Sequence, residues 1–280
     1  MSRLFLFAVK YLQFKLMRST VPRISASAYS NTAPLVWSFL YGSHHGKVEM
    51  ILDNAPARSA ELLAQNRVDA ALTPVIMYQM LEGVRLIPNV CVGAREKVRS
   101  VRLVTRGMPL EDVRSVSLDI SSKTSVCLSK IIFREFLGFD PVWRDAAPEL
   151  ENMLDESDCA LLIGDPALAV SMSEKYTSFD MVELWRKYTG FGFVFAMWMT
   201  RLDKSPVDLA AVRDEGLRHI DEIAANYAGD MALTKDDLKT YLSENISYSV
   251  DGSMQKGLEL YFELAAKNKL IETNKPLNFL

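Results

Sequence analysis

From Arg23 onward, short apolar runs alternate with stretches in which apolar residues recur every three or four positions, and Gly, Pro, Ser and Asn separate the two kinds of segment. A period of two marks strands and a period near 3.6 marks helices, so the chain reads as an α/β fold with crossover connections. Strands are predicted at residues 23–28, 48–52, 68–72, 100–105, 116–120, 159–163 and 193–200. Pro34 suits the first turn of a helix through Leu35, Trp37, Phe39 and Leu40, and residues 58–65 form a short amphipathic helix. Thr73-Pro74 reads as an N-cap and first-turn proline for a helix reaching Leu81. Further helices are predicted over 126–137, from Asp165-Pro166, and over 206–227, 235–244 and 251–268.

The order of these elements divides into two α/β lobes. The first takes residues 21–103 together with 199–280, and the second takes 104–198. Strands 100–105 and 193–200 are the crossing segments, and a fold crossed twice places a ligand cleft between its lobes. Residues 1–20 begin like a signal peptide, but Lys10, Lys15 and Arg18 interrupt an apolar run too short to span a bilayer. The expectation is a poorly ordered extension, translation from Met1 or Met17, and a cytoplasmic protein.

Composition narrows the partner. The chain has 280 residues, 49% hydrophobic and 24% charged, with 32 Lys and Arg against 35 Asp and Glu. These values exclude a disordered or disulfide-stapled chain and offer no basic surface for nucleic acid. A small-molecule partner is expected, and oligomeric state is not legible. Cys91, Cys127 and Cys159 lie in apolar runs and read as core thiols, while His44, His45 and His219 lack metal-ligand spacing.

Two polar turns follow predicted strands at predicted helix starts: Ser30-Asn31-Thr32 and Ser122-Lys123-Thr124-Ser125. Unpaired N–H groups and the positive end of a helix dipole favour anions there, although Asn31 or Thr32, and Thr124 or Ser125, also read as simple caps. Asp119 and Asp165 stand at strand ends, and Asp165 also reads as an N-cap before Pro166. Trp185, Tyr188, Phe191, Phe193, Phe195 and Trp198 are expected mostly in the core, with one or two lining the cleft. No Gly-rich phosphate loop, nucleophile elbow or Ser/His/Asp arrangement is present.

Ser27-Ala28-Tyr29-Ser30-Asn31-Thr32-Ala33-Pro34-Leu35 resembles the Ser-Tyr-x-Asn-Thr-x-Pro-Leu opening of the menaquinone-biosynthesis family that contains chorismate dehydratase. Five further segments agree in order and spacing: Val68 to Val75, Val98 to Val101, Leu118 to Val126, Leu162 to Ala167 and Trp185 to Ala196. The resemblance covers residues 23 to about 200 and implies a two-lobed fold like the type II periplasmic binding proteins, with an interdomain cleft and two crossover strands. It also implies dehydration of chorismate to 3-[(1-carboxyvinyl)oxy]benzoate, the first step of the futalosine route. By resemblance, Asn31 and Ser100 are the expected catalytic residues. Tyr29, Thr32, Thr124, Ser125, Gly164, Asp165 and Phe193 are the expected substrate contacts.

The elimination removes the ring proton beside the enolpyruvyl ether and the neighbouring hydroxyl, and aromatisation supplies the driving force. Positioning and a modest base suffice, so the substrate's own enolpyruvyl carboxylate is the expected proton acceptor and no cofactor or metal is expected. Two departures from the family pattern flank the cleft: Ala94-Arg95-Glu96-Lys97 in place of Gly-Pro, and Gly192 in place of a common proline. Lys97 and Arg99 are read as solvated loop cations. Two alternatives share the fold: the sister enzyme forming 1,4-dihydroxy-6-naphthoate, whose Asp-Thr-Phe type segment and motif histidine are not visible, and a non-catalytic binder of small anions.

Overall fold

The computed structural model describes residues 21–170, 174–229 and 233–280; the expectation for residues 1–20 lies outside the described residues. Among them, ten strands form two sheets. The first contains β1 (Arg23–Ser27), β2 (Glu49–Asp53), β3 (Ala70–Pro74), β4 (Arg85–Ala94) and β10 (Phe193–Thr200), in the order β2-β1-β3-β10-β4. The second contains β5 (Val101–Thr105), β6 (Ser115–Asp119), β7 (Val142–Ala146), β8 (Cys159–Ile163) and β9 (Thr177–Asp180), in the order β7-β6-β8-β5-β9.

The two sheets repeat one plan. Three strands run parallel, β2-β1-β3 in one lobe and β7-β6-β8 in the other, and an antiparallel strand then pairs with the third. Central strands β3 and β8 read Ala-Ala-Leu-Thr-Pro and Cys-Ala-Leu-Leu-Ile and are buried on both faces, as a covered parallel sheet requires. The chain changes sheet between Ala94 and Val101 and again between Asp180 and Phe193. Thus 193–200, expected at the crossing, is wholly an interior strand of the first sheet, because its unbroken apolar run suits burial between β3 and β4.

The helices are α1 (Ala33–Leu40), α2 (Pro56–Ala64), α3 (Met77–Met80), α4 (Lys123–Ile131), α5 (Leu150–Glu156), α6 (Gly164–Val170), α7 (Met181–Thr189), α8 (Leu209–Arg218), α9 (Ile220–Ala228), α10 (Lys235–Thr240) and α11 (Gly252–Lys267). Thr73 and Pro74 do not open a helix. They end β3, where Pro74 pairs with Ala196 and Val75 N–H donates to the Phe195 carbonyl at 2.8 Å. A proline lacks the ladder N–H, which is tolerable at a strand end.

One apolar core joins the two sheets, and α11 seals it. The Tyr261 hydroxyl donates to the Thr124 carbonyl at 3.0 Å, tying α11 to the start of α4. A Cβ on Gly257 would lie 2.2 Å from the Gly192 carbonyl oxygen, so α11 approaches the second sheet crossing closely only because both positions are glycine. A smaller apolar cluster around Val104, Met153 and Leu162 fills the far face of the second sheet.

Candidate functional site

A cavity lies between the lobes, where small ligands usually bind in folds of two domains. From the first lobe come Ser27, Tyr29, Asn31, Thr32, Leu72, Pro74, Val92 and Phe195; from the second come Ser100, Ser122, Thr124, Ser125, Ile163 and Gly164.

The first polar turn is a single 3₁₀ turn over Ser30–Thr32 between β1 and α1. Ser27 Oγ and Thr32 Oγ1 are 3.1 Å apart, and Thr32 Oγ1 donates to Asn31 Oδ1 at 3.3 Å. These bonds fix the Asn31 amide and turn its nitrogen away from Thr32. The second turn opens α4, where Ser122 Oγ accepts from Ser125 N–H at 3.3 Å. The side-chain cap of this helix is thus Ser122 and not Thr124 or Ser125, which the capping reading named. Thr124 Oγ1 donates to the Phe195 carbonyl at 3.0 Å, a bond between the lobes. The open start of α4 faces the cavity through Ser122, Thr124 and Ser125, where its dipole favours an anion.

Ser100 is presented by a strained turn. Its N–H donates to the Val98 carbonyl at 2.7 Å, closing a ring around Arg99, whose φ is +61°. Such a γ-turn is rare and persists only when its surroundings enforce it. The enforcing group is Asp180, almost completely buried, whose carboxylate accepts Val98 N–H at 3.1 Å and Arg99 N–H at 2.6 Å. The same carboxylate caps α7 through Val182 N–H at 3.0 Å. Arg99 lies over the Tyr241 ring, with its guanidinium carbon 6.0 Å from the centroid, and Lys97 pairs with Glu183 at 3.9 Å.

Gly164 has φ +64°, and a Cβ there would meet the Tyr29 ring at 3.1 Å. Its N–H donates to the Ser100 carbonyl at 2.8 Å, so the phenol packs directly over the strand end that supports Ser100. Burial pushes the Tyr29 phenol above its ordinary range, opposed by a bond with Ser121 and reinforced by Asp119 and Asp165. Asp119 is fully buried; Oδ1 accepts from the Ser121 N–H and hydroxyl at 2.9 and 2.6 Å, Oδ2 has no partner, and burial raises its carboxyl.

Seven expected residues thus meet at one cavity: Tyr29, Asn31, Thr32, Ser100, Thr124, Ser125 and Gly164. Two do not line it. The Asp165 carboxylate turns to the first lobe, where it accepts from the Ser30 hydroxyl at 2.5 Å and the Ser30 N–H at 3.3 Å. Phe193 is fully buried against Trp185, Phe195 and Tyr261, and Phe195, two residues on, faces the cavity instead. Residues two apart on a regular strand share a face, but the β10–β4 pairing shifts register between Val194 and Ala196, so the sequence alone does not say which of the two phenylalanines reaches the cavity.

The remaining titratable residues take structural places. Cys91, Cys127 and Cys159 are buried thiols pushed up to about 12 by desolvation. His219 stacks on Trp37 at 3.7 Å, and His44 bonds to Ser38 at 2.8 Å. Among the described residues no group of three or more His, Cys, Asp or Glu is arranged to hold a metal ion, and no helix is long and apolar enough to cross a membrane. Among the described residues the lining contains no Asp, Glu, His, Lys, Arg or Cys. Sequence reading missed Asp180 and Tyr241, whose hydroxyl donates to Ser100 Oγ at 2.7 Å; Asp180 carried an N-cap signal before α7, whereas Tyr241 carried none.

Comparison with known proteins agrees with this arrangement. In overall shape the chain is similar to protein AF1704 of Archaeoglobus fulgidus, with a TM-score of 0.67 at 16% identity, covering 91% of this chain and 100% of that one. It is also similar to the periplasmic aliphatic sulphonate binding protein of Escherichia coli, with a TM-score of 0.63 at 14% identity over 93% and 94% of the two chains. Those likenesses establish the periplasmic-binding-protein fold. In sequence it is 30% identical to the chorismate dehydratase of Thermus thermophilus over 84% of this chain and 92% of that protein. The profile of the family described as menaquinone biosynthesis matches residues 22–267, which takes in both lobes and every cavity-lining residue, and the chain belongs to that family.

Proposed function

We propose that this protein removes water from chorismate to give 3-[(1-carboxyvinyl)oxy]benzoate, acting as a cytoplasmic enzyme of menaquinone biosynthesis. One observation carries the reading: among the described residues the cavity lining offers hydroxyls, an amide and a helix start, and no carboxylate, imidazole or amine. Such a lining suits a substrate that brings its own charge and its own base.

In this reading one substrate carboxylate rests at the start of α4, held by the dipole and by Thr124 and Ser125. Asn31 donates to the ring substituents from the first lobe, and Ser100 donates to the hydroxyl that departs. The ring proton passes to the enolpyruvyl carboxylate, its electron pair enters the ring, and the neighbouring C–O bond breaks. The departing hydroxide recovers a proton and leaves as water, so the enzyme ends each cycle unchanged. Tyr29, kept protonated by burial, covers one side of the ring. Holding carboxylate and C–H together is the main catalytic contribution, and a hydrogen bond to the departing oxygen adds to it.

The test is to mix the protein with chorismate and follow products by liquid chromatography and mass spectrometry. An aromatic product lighter by one water is expected. Asn31→Ala and Ser100→Ala are each expected to lower kcat by about a hundredfold or more while remaining folded. Intact chorismate that nonetheless raised the Tm would leave a binding protein without this activity, and unchanged turnover in both variants would remove the assigned roles.

A further inference from the structure

Tyr241 lies in none of the segments that carry the family resemblance. It opens the π-helical turn Tyr241–Asn245, which continues α10, and its side chain is completely buried. π-turns are rare and recur at functional sites because they re-aim a side chain within a helix. Here the turn brings a phenol from the C-terminal part of the chain to the seam between the lobes.

At that seam the phenol meets Ser100: its O–H donates to Ser100 Oγ at 2.7 Å. A serine hydroxyl has one hydrogen, and when its lone pair receives the Tyr241 proton that hydrogen is free to point elsewhere. Ser100 lines the cavity, so that hydrogen has the cavity to point into.

We infer that Tyr241 is a positioning residue that sets the Ser100 hydroxyl as a donor toward the cavity. The inference rests on the chorismate reading for the identity of the acceptor, the departing hydroxyl. No proton leaves Tyr241: the phenol remains O–H throughout, and its action is wholly through the orientation of Ser100.

The experiment compares the full chain with Tyr241→Phe, Ser100→Ala and the double variant, measuring kcat and KM for chorismate together with Tm. Phenylalanine keeps the buried ring and removes only the hydroxyl. The expected result is a fall in kcat of at least about tenfold in Tyr241→Phe, KM within about twofold, and no further loss when the change is made in Ser100→Ala. A loss due only to loosened packing would fall on Tm and multiply through equally in both backgrounds, and that pattern would overturn the proposal. So would a kcat for Tyr241→Phe within about twofold of the unaltered protein while chorismate is turned over normally. An unaltered protein inert toward chorismate would overturn the activity reading and this inference together.

Discussion

Glu215 illustrates what one side chain does for this fold. It sits on α8 and accepts from the hydroxyls of Ser38 and Ser43 and, at 2.9 Å, from the Ser43 N–H, joining α8 to the end of α1. These bonds, led by that of Ser38, hold its carboxyl down to about 2, against an ordinary 4.5. A depressed carboxylate contributes stability that is present above the ordinary value and lost as pH falls toward the folded one. Glu215→Gln is therefore expected to have a lower Tm at pH 7, with the gap to the unaltered protein closing below pH 4.5; a gap constant with pH would show that the charge is not what matters. No sequence pattern marks this group, because its partners lie far away in the chain. The same limit explains Tyr241, whose partner Ser100 is equally remote. Asn31, Thr32 and Ser125 were legible for the opposite reason, since each stands on a polar turn that follows a strand, whereas Tyr29 was expected only through the family resemblance.

At the level of elements, α1 and α8 approach so closely that a Cβ on Gly216 would lie 1.9 Å from the Pro34 carbonyl oxygen. That neighbour is backbone and cannot rotate away. Gly216→Ala is expected to cost roughly 1–3 kcal/mol, seen as a Tm lower by several degrees in a thermal melt, since overpacking displaces the helix pair. An unchanged Tm would mean that the helices separate without penalty. Because Pro34 directly follows the Asn31 turn, a fall in kcat is expected alongside. Seven strands were legible from period and burial, whereas β4, β7 and β9 were not. Pro88 and Asn89, the latter at φ +60°, interrupt β4, and β7 and β9 are edge strands with mixed polar sequence. Edge strands have one unpaired side facing solvent, which erases the apolar run that marks an interior strand.

The whole molecule depends on how its lobes meet: the chain changes sheet twice, in the connections between Ala94 and Val101 and between Asp180 and Phe193 and not in the strands 100–105 and 193–200 expected to cross, and a cavity lies between the two sheets. Among the polar contacts between the lobes are Thr124 to the Phe195 carbonyl, and Asp165 to Ser30, the residue immediately before Asn31. Burial raises the Asp165 carboxyl, opposed by its bonds to Ser30. A raised carboxylate makes its stabilising contribution on the acid side and loses it as pH rises through the folded value, so the charge itself works against closure. The acceptor oxygen, by contrast, holds the Asn31 turn against the second lobe. Asp165→Asn keeps an acceptor for the Ser30 hydroxyl and removes the charge, while Asp165→Ala removes both. Expected, therefore, is a KM for chorismate within about twofold in the asparagine variant and raised about tenfold in the alanine variant, the loss of one buried hydrogen-bonding group. Melting curves across the acid range are expected to show less decline with rising pH in Asp165→Asn than in the unaltered protein. Equal KM values in all three proteins would mean that Asp165 takes no part in closure, and the contact with Ser30 would then be only a cap between neighbours.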